Sequence, residues 1–120
     1  MNTIEVYGDG ATLAMIVSDT LTEFEDDTLT TLGSYAFSCS TALTKLTLSN
    51  LESIGDKALN GTTNLTEIRL MNDQVCTYAT TSASYAPPNA DLRIYVPSSL
   101  LASYQAATNW SRLASKFIGV

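Results

Sequence analysis

Apolar residues recur through the middle of the chain at a fixed spacing of 22 residues. The segment 29–48 aligns with the segment 51–70 at this offset without a gap, and eight positions match in apolar or small character. A period of this length is typical of leucine-rich repeats, in which each repeat buries its apolar face on its neighbours. The sequence therefore predicts a short stack of such repeats. The matched pairs are Leu29/Leu51, Leu32/Ile54, Gly33/Gly55, Ala36/Ala58, Phe37/Leu59, Leu43/Leu65, Leu46/Ile68 and Leu48/Leu70.

Each regular repeat divides into a strand and a turn. Residues 43–48 have the spacing Leu-x-x-Leu-x-Leu, whose last positions alternate as they do in a strand with one buried face. Gly33 and Gly55 are predicted to be turn residues with positive φ. The segments 34–37 and 56–59 that follow them are predicted to form short helical turns. The expected fold class is an α/β repeat, a leucine-rich-repeat solenoid with one parallel sheet of about four or five strands and helical turns opposite.

Two further repeats are irregular. On the N-terminal side, Leu21 and Phe24 keep the offset of 22, whereas Asp26 stands where the regular repeats have leucine. On the C-terminal side, Ile94 matches Ile68 only after an insertion of four residues, since 94 minus 68 is 26. We therefore expect two regular repeats between two irregular ones.

Helical spacing of apolar residues replaces the repeat after Pro97. Two amphipathic helices are predicted here, the first beginning near Ser98 and the second near Thr108. Large aromatic residues at this position are expected to close the open core of the last repeat; the alternative is that Trp110 and Phe117 form a binding surface. The apolar positions are Leu100, Leu101 and Tyr104 in the first helix, then Trp110, Leu113 and Phe117 in the second.

We predict a single domain over residues 1–120. It comprises an N-terminal segment 1–20, in which Ile4 and Val6 offer a further strand, the repeats at 21–96, and a helical cap at 97–120.

The polar residues between the inward-facing strand positions predict an exposed sheet surface. Aligning the repeats gives two rows across this surface, and in the first row the sign of the charge alternates from repeat to repeat. Opposite charges on adjacent strands would lie about 4.8 Å apart and would help to fix the register. The alternative is that the same surface binds a partner. The first row is Glu23, Lys45, Glu67 and Arg93, and the second is Glu25, Thr47, Arg69 and Tyr95.

The insertion lies in the segment 73–91, which is rich in Ser, Thr, Ala, Tyr and Pro. A long loop of this composition is suited to specific recognition, although an irregular repeat that only packs is the other interpretation. With the two rows, this segment supplies the candidate partner-binding residues. They are Lys45, Glu67, Arg69, Tyr78, Tyr85, Arg93 and Tyr95.

The charge distribution argues against two classes of partner. The net charge of −6 disfavours nucleic acid and anionic lipid, both of which are bound through lysine and arginine. Residues 1–60 hold nine acidic residues and two lysines, net −7, whereas residues 61–120 hold three acidic and four basic residues, net +1. Such asymmetry can orient a partner or a head-to-tail neighbour, or it can simply solubilise the chain. No apolar run is long enough to span a bilayer and no signal-peptide pattern is present, so we expect neither membrane insertion nor export by the secretory route.

The residue types also argue against an enzyme. The chain has no histidine, which removes histidine-based acid–base chemistry and histidine-ligated metal sites. Cys39 and Cys76 form neither a redox pair nor a zinc pattern and are expected to be free core thiols. The acidic run 25–27 lacks the spacing of an EF-hand loop. We therefore predict no catalytic residue, no metal and no cofactor.

The repeats resemble the BspA-type (Treponema-type) leucine-rich-repeat family, whose repeats carry an Ile-Gly, Ala-Phe, Gly-Cys, Leu signature. One repeat carries it as Leu32-Gly33, Ala36-Phe37, Ser38-Cys39 and Leu43, and the next as Ile54-Gly55, Ala58-Leu59 and Leu65. The segment from Ile94 to Trp110 resembles the terminal segment that closes many such arrays in proteins of gut bacteria and their phages. The chain departs from the signature at Ser38, Leu59 and Asn60-Gly61.

The resemblance implies a role in recognition, because known members of the family are adhesins and binding modules without catalytic residues. A structural or host-adhesion component of a phage or prophage particle, located in the virion, is the preferred expectation. A bacterial cell-surface module that binds a host protein or glycan is the alternative. The expected partner is a protein, either another virion protein or a host surface protein, with a glycan or a second copy of the chain left open.

Overall fold

The computed structural model describes residues 5–9, 12–18, 20–38, 40–82 and 85–120. These residues form ten β-strands and one α-helix, α1 (Leu101–Ala106), with 3-10 helices at Ser98–Leu100 and Trp110–Lys116. The strands are β1 (Glu5–Asp9), β2 (Thr12–Val17), β3 (Glu23–Asp26), β4 (Thr31–Leu32), β5 (Lys45–Leu48), β6 (Ser53–Ile54), β7 (Glu67–Leu70), β8 (Thr77–Tyr78), β9 (Arg93–Val96) and β10 (Phe117–Gly119).

The longer strands of successive repeats form one parallel sheet, called sheet B here, in the order β10-β9-β7-β5-β3. Glu23 pairs with Lys45, Lys45 with Glu67, and Glu67 with Arg93. The offsets of 22, 22 and 26 residues predicted from the sequence are therefore confirmed. Alternate residues of β5 and β7 are fully buried, as expected for strands with a single inner face.

A second sheet, called sheet A here, was not predicted. Its order is β1-β2-β4-β6-β8; β1 and β2 are antiparallel and the other pairs are parallel. Strands β4, β6 and β8 have two residues each, so they are too short to show an alternating pattern in the sequence. Val6 lies in β1, whereas Ile4 lies outside the described residues.

The predicted helical turns are wrong: residues 34–38 and 56–60 form hydrogen-bonded turns. The Ala36 amide donates to the Gly33 carbonyl at 3.2 Å, and the Ala58 amide donates to the Gly55 carbonyl at the same distance. Tyr35 then adopts a φ of 63°, and its counterpart in the next repeat, Lys57, a φ of 60°. A left-handed residue cannot continue a right-handed helix, so each segment turns the chain instead.

Gly33 and Gly55 do not have the predicted positive φ. Their role is to allow close approach of neighbouring repeats. A Cβ atom on Gly55 would lie 2.7 Å from the carbonyl carbon of Gly33 and 2.7 Å from the amide nitrogen of Ser34. The Gly55 amide uses this proximity to donate to the Leu32 carbonyl at 2.7 Å. The glycines are thus required by stacking between repeats.

Asp26 shows how the irregular first repeat ends without its leucine. Its carboxylate accepts hydrogen bonds from the amides of Thr28 and Leu29, both at 2.7 Å, and from the Thr28 hydroxyl at 2.9 Å. Burial acts to raise the pKa of Asp26, but these hydrogen bonds outweigh it and the pKa is lowered. A polar turn therefore replaces an apolar contact at this end of the stack.

Two of the four inserted residues come before β8, and the other two come between β8 and β9. Ile54 pairs with Tyr78 in sheet A, an offset of 24, whereas Ile68 pairs with Ile94 in sheet B, an offset of 26. Cys76 consequently does not lie under Ile54, as a constant offset of 22 would require. Its thiol is nevertheless buried and free. Cys39 lies outside the described residues.

The C-terminal segment 97–120 differs in detail from the predicted helices. Pro97 and Asn109, rather than Ser98 and Thr108, precede the helical turns, and Phe117 begins strand β10 instead of ending a helix. Strand β10 pairs in parallel with β9 and extends sheet B. The intervening residues lie against the edge of sheet A that β8 forms.

Four side chains of this segment form hydrogen bonds with the backbone of β8 and of the residues that flank it. The Tyr104 hydroxyl accepts from the Cys76 amide at 2.8 Å, and the Trp110 indole Nε1 donates to the Cys76 carbonyl at 2.6 Å. The Asn109 amide donates to the Tyr78 carbonyl at 2.6 Å, and Arg112 reaches the carbonyl of Thr80 at 3.5 Å. Within the described part of the chain, these side chains thus take up backbone groups at the edge where sheet A ends.

Aromatic rings fill the space beneath these hydrogen bonds. Trp110 is 1% exposed, stacks on Tyr78 with ring centroids 4.3 Å apart, and meets Tyr104 and Phe117 edge-on. The alternative that Trp110 and Phe117 form a binding surface is therefore wrong, because neither ring is accessible.

Candidate interaction face

The outer face of sheet B is defined here by Lys45, Thr47, Glu67, Arg69, Arg93 and Tyr95. The strand register brings these residues into the two predicted rows, since Thr47 pairs with Arg69 and Arg69 with Tyr95. Their side chains point away from the core because the residues that alternate with them are buried. The outer face is therefore a flat array of polar and charged groups fixed on rigid strands.

Glu67 is the centre of the ionic contacts on this face. Its Oε2 atom accepts from Arg69 Nε at 2.8 Å and lies 3.6 Å from Lys45 Nζ. The hydrogen bond from Arg69 and the nearby positive charges lower the pKa of Glu67 against the opposing effect of burial. Since all three side chains are partly exposed, each pair contributes only about 0 to 1 kcal/mol.

The predicted alternation of charge forms fewer ion pairs than its pattern allows. Among the residues that the structure describes, ion pairs within 4.0 Å join Glu67 to Lys45 and to Arg69. Arg93 lies opposite Glu67 in the register but donates to the Leu92 carbonyl at 2.7 Å. The charges therefore help to order the centre of the face, whereas Arg93 forms no ion pair with a carboxylate of the described residues.

Arg69 is held on two sides. Its guanidinium carbon lies 4.5 Å from the centroid of the Tyr95 ring, a distance suited to a cation–π interaction. Glu67 accepts from Nε, and within the described part of the chain the terminal guanidinium nitrogens donate to no other residue. A planar donor is thus oriented in advance, with its terminal N–H groups left for another molecule.

The two tyrosines of the insertion lie away from this face. Tyr78 is 5% exposed and stacked on Trp110, and burial raises its pKa, so its side chain belongs to the core and not to an accessible surface. Tyr85 is exposed, and its ring lies 4.4 Å from Lys57 Nζ. The structure thus separates both residues from Arg69 and Tyr95.

Tyr85 forms a second exposed cluster with residues that the sequence analysis did not single out. Lys57 Nζ also lies 5.8 Å from the Tyr35 ring, and a hydrogen bond to Tyr35 is the main cause of the raised pKa of Lys57. Tyr35 and Lys57 are one period apart in sequence, since 57 minus 35 is 22. That equivalence was available in the alignment, but nothing in the residue types indicated that both would project from left-handed turns.

The described residues contain no group of three or more His, Cys, Asp or Glu residues placed to hold a metal ion. Burial raises the pKa of Cys76 to about 12, so its thiol is protonated at neutral pH and is not a nucleophile. In the part of the chain that is described, no helix has the length and apolar character needed to cross a membrane.

Comparison with known proteins identifies the repeats. A sequence model described as BspA type Leucine rich repeat region (6 copies) matches residues 18–91, which is more than half of the chain. The matched range includes β3 to β8 and ends just before β9. No curated protein and no solved structure matches the chain. Leucine-rich repeats of this kind suggest a protein-interaction module, and the family is typically non-enzymatic.

Proposed function

Because the chain belongs to the BspA-type leucine-rich repeat family, we propose that it is a non-enzymatic protein-interaction module of a phage or prophage particle. In this role it is a structural or host-adhesion component that binds another virion protein or a host surface protein. The whole chain acts as a single domain, a short solenoid whose last repeat is closed by the C-terminal segment 97–120. The aromatic contacts of Trp110 and Tyr104 with the β8 edge support this description of the C-terminal end.

The observation that carries the interaction role is the arrangement of Arg69 on the outer face of sheet B. Arginine and tyrosine are enriched among the residues that dominate binding energies at protein interfaces. Here the guanidinium is oriented by Glu67 and Tyr95 before any partner binds, which lowers the entropy lost on association. Lys45 and Arg93 complete the set of candidate contact residues. Tyr85 stays a candidate on the second cluster, whereas buried Tyr78 is left out.

The resemblance of the segment 94–110 to the terminal segments that close such arrays in proteins of gut bacteria and their phages is compatible with a virion location. The test is mass spectrometry of particles purified from the source strain after prophage induction. Peptides of this chain should co-purify with the particles in a fixed ratio to a major capsid protein. A chain that stays monomeric and is missing from purified particles would overturn the virion role.

Variants test the outer face independently of the virion. Arg69→Ala and Tyr95→Ala should each weaken binding to the partner recovered by cross-linking by about tenfold or more. The matched controls are Arg112→Ala and Tyr35→Ala, which remove the same residue types from other surfaces. If the controls weaken binding as much as Arg69→Ala and Tyr95→Ala do, another surface is the contact face.

A bacterial cell-surface module that binds a host protein or glycan is the second candidate function. It is favoured by the family, since BspA-type repeats are often extracellular. Labelling of intact cells with a membrane-impermeant reagent distinguishes the two roles. Labelled chain on cells without induced particles would support the surface module.

A further inference from the structure

Strand β3 is an edge of sheet B, and one side of its backbone faces away from the sheet. Among the described residues β3 pairs only with β5, and the order of sheet B ends at β3. The carbonyl oxygens of Thr22 and Asp26 accept hydrogen bonds from Lys45 and Ser49, so these alternate residues direct their backbone toward β5. The intervening residues, Glu23 and Glu25, therefore direct their N–H and C=O groups outward.

The groups around this edge are acidic and accessible. Glu23, Glu25 and Asp27 are exposed, whereas the carboxylate of Asp26 is occupied by Thr28 and Leu29. Natural proteins commonly protect exposed strand edges with charge, which here is negative. A second β3 edge would bring like charges together, so this edge disfavours pairing with a copy of itself.

Two features next to the edge favour an added strand over bulk solvent. Phe24 pairs with Leu46 and faces the same side of the sheet, but Phe24 is only half-buried whereas Leu46 is fully buried. A further strand next to β3 would cover more of the Phe24 ring. A shallow cavity of about 50 Å³ is lined by Glu23, Phe24, Glu25, Lys45 and Thr47. Its two carboxylates outnumber the single ammonium group of Lys45, so the lining carries a net negative charge that favours the end of a lysine or arginine side chain.

We propose that the β3 edge binds an extended, basic segment of a partner protein, which adds to sheet B as a sixth strand. Backbone hydrogen bonds to Glu23 and Glu25 supply affinity, and the carboxylates select lysine and arginine at alternate positions of the segment. This edge shares Lys45 and Thr47 with the outer face but does not include Arg69 or Tyr95. Variants of Glu23 and Glu25 therefore test the edge, and variants of Arg69 and Tyr95 test the outer face.

The first test uses the full-length chain labelled with ¹⁵N and a short peptide of alternating lysine and valine. At saturating peptide, amide hydrogen exchange at Glu23 and Glu25 should slow by about tenfold or more. The Phe24 amide faces β5 and should change little, which makes it the internal control. Unchanged exchange at Glu23 and Glu25, or equal slowing with a peptide of alternating glutamate and valine, overturns the proposal.

Backbone methylation of the peptide tests the mode of binding without altering the protein. N-methylation of one alternate set of residues should abolish binding, since that set faces β3, and methylation of the other set should leave it intact. Equal effects of the two sets would mean that the peptide binds only through charge, and strand addition would be rejected.

Substitutions in the chain complete the test. Glu25→Pro removes one outward N–H group and should lower the affinity for the lysine–valine peptide by about tenfold. Proline is tolerated on an edge strand but cannot donate a backbone hydrogen bond. Glu23→Gln with Glu25→Gln should weaken it by about threefold or more, whereas the control pair Glu52→Gln with Asp91→Asn should not. The glutamine variants keep the test valid if Glu25→Pro does not fold. If the chain alone self-associates with the Glu25 amide protected, a second copy occupies the edge and the proposal fails.

Discussion

The two ends of the repeat stack close in different ways. At the C-terminal end, β10 extends sheet B, and the side chains of Tyr104, Asn109 and Trp110 bond to the backbone of β8, the last strand of sheet A. At the N-terminal end, the β1–β2 hairpin extends sheet A, but sheet B stops at the acidic strand β3. Among the described residues, sheet A thus ends at a β8 edge whose backbone bonds to side chains, whereas sheet B ends on the N-terminal side at a β3 edge whose outward backbone groups stay accessible.

A short repeat array therefore does not need equal protection at both ends. Open strand edges invite pairing with other chains, so a stack that leaves one accessible must limit what can add to it. The closed end buries several large aromatic rings, and two of these residues also form hydrogen bonds with the backbone of Cys76. The open end carries carboxylates instead. Stability is therefore expected to depend on the C-terminal end and on the contacts between repeats far more than on the charged surfaces.

Trp110→Ala should have the largest effect. It removes a buried ring that contacts three other aromatic rings, and it removes the hydrogen bond to the Cys76 carbonyl. The free energy of unfolding should fall by about 4 kcal/mol. Urea denaturation measures this loss, with Tyr35→Ala as the control because that ring is 43% exposed. Equal losses in the two variants would contradict the view that the C-terminal end carries the stability.

High pH should selectively weaken the closed end. Burial raises the pKa of Cys76 from 9.0 to about 12 and that of Tyr104 from 10.0 to about 12. Because the unfolded chain loses these protons first, stability is full below about pH 9 and falls as the pH rises toward 12. The thiol alone should cost about 3 kcal/mol by about pH 11.

Denaturation measured from neutral pH to about pH 11 tests this expectation. In Cys76→Ala the free energy of unfolding should fall less between neutral pH and about pH 11 than in the wild type. The decrease that is left should come from Tyr104. A stability that does not change over this range would mean that neither group stays buried when it ionises.

The contact between regular repeats should be more sensitive than the contact with the N-terminal hairpin. A Cβ atom on Gly55 would meet backbone atoms of Gly33 and Ser34 at 2.7 Å, whereas one on Gly33 would meet Ala14 Cα at 3.3 Å. Gly55→Ala should therefore lower the free energy of unfolding by about 3 kcal/mol and Gly33→Ala by about 1 kcal/mol. Thermal or urea denaturation of the two variants gives the ranking. The reverse ranking would show that the hairpin is packed more rigidly than the repeats.

The sequence was most informative where residues recur at a fixed offset. Leu46, Ile68 and Ile94 fixed the register of sheet B, and with it the two rows of the outer face, because one-sided burial allows only one register. The relation of Arg69 to Tyr95 followed directly from that alignment. The direction of Arg93 toward the Leu92 carbonyl did not, since side-chain conformation leaves no trace in the repeat pattern.

The sequence was least informative where short elements or backbone geometry decide the structure. Strands of two residues cannot show alternation, so sheet A was missed. The left-handed conformation fell on Tyr35 and Lys57 rather than on glycine, against the usual preference. Tyr78 was expected in an exposed loop because an offset of 24 in one sheet and 26 in the other cannot be read from a single insertion.

Glu67→Gln should have the smallest effect and so test whether the ends, rather than the outer face, determine stability. The lowered pKa of Glu67 means that its ionic contacts stabilise the fold at pH values above its unfolded pKa near 4.5, and that this stabilisation disappears as the pH falls through the folded pKa. At neutral pH the variant should lose at most about 1 kcal/mol, because Lys45 and Arg69 are partly exposed. Denaturation at neutral and acidic pH should show the wild type and the variant converging in acid, with exposed Glu52→Gln unchanged throughout. A loss at neutral pH as large as that of Trp110→Ala would place the stability of the stack in its charged face and refute the contrast between its two ends.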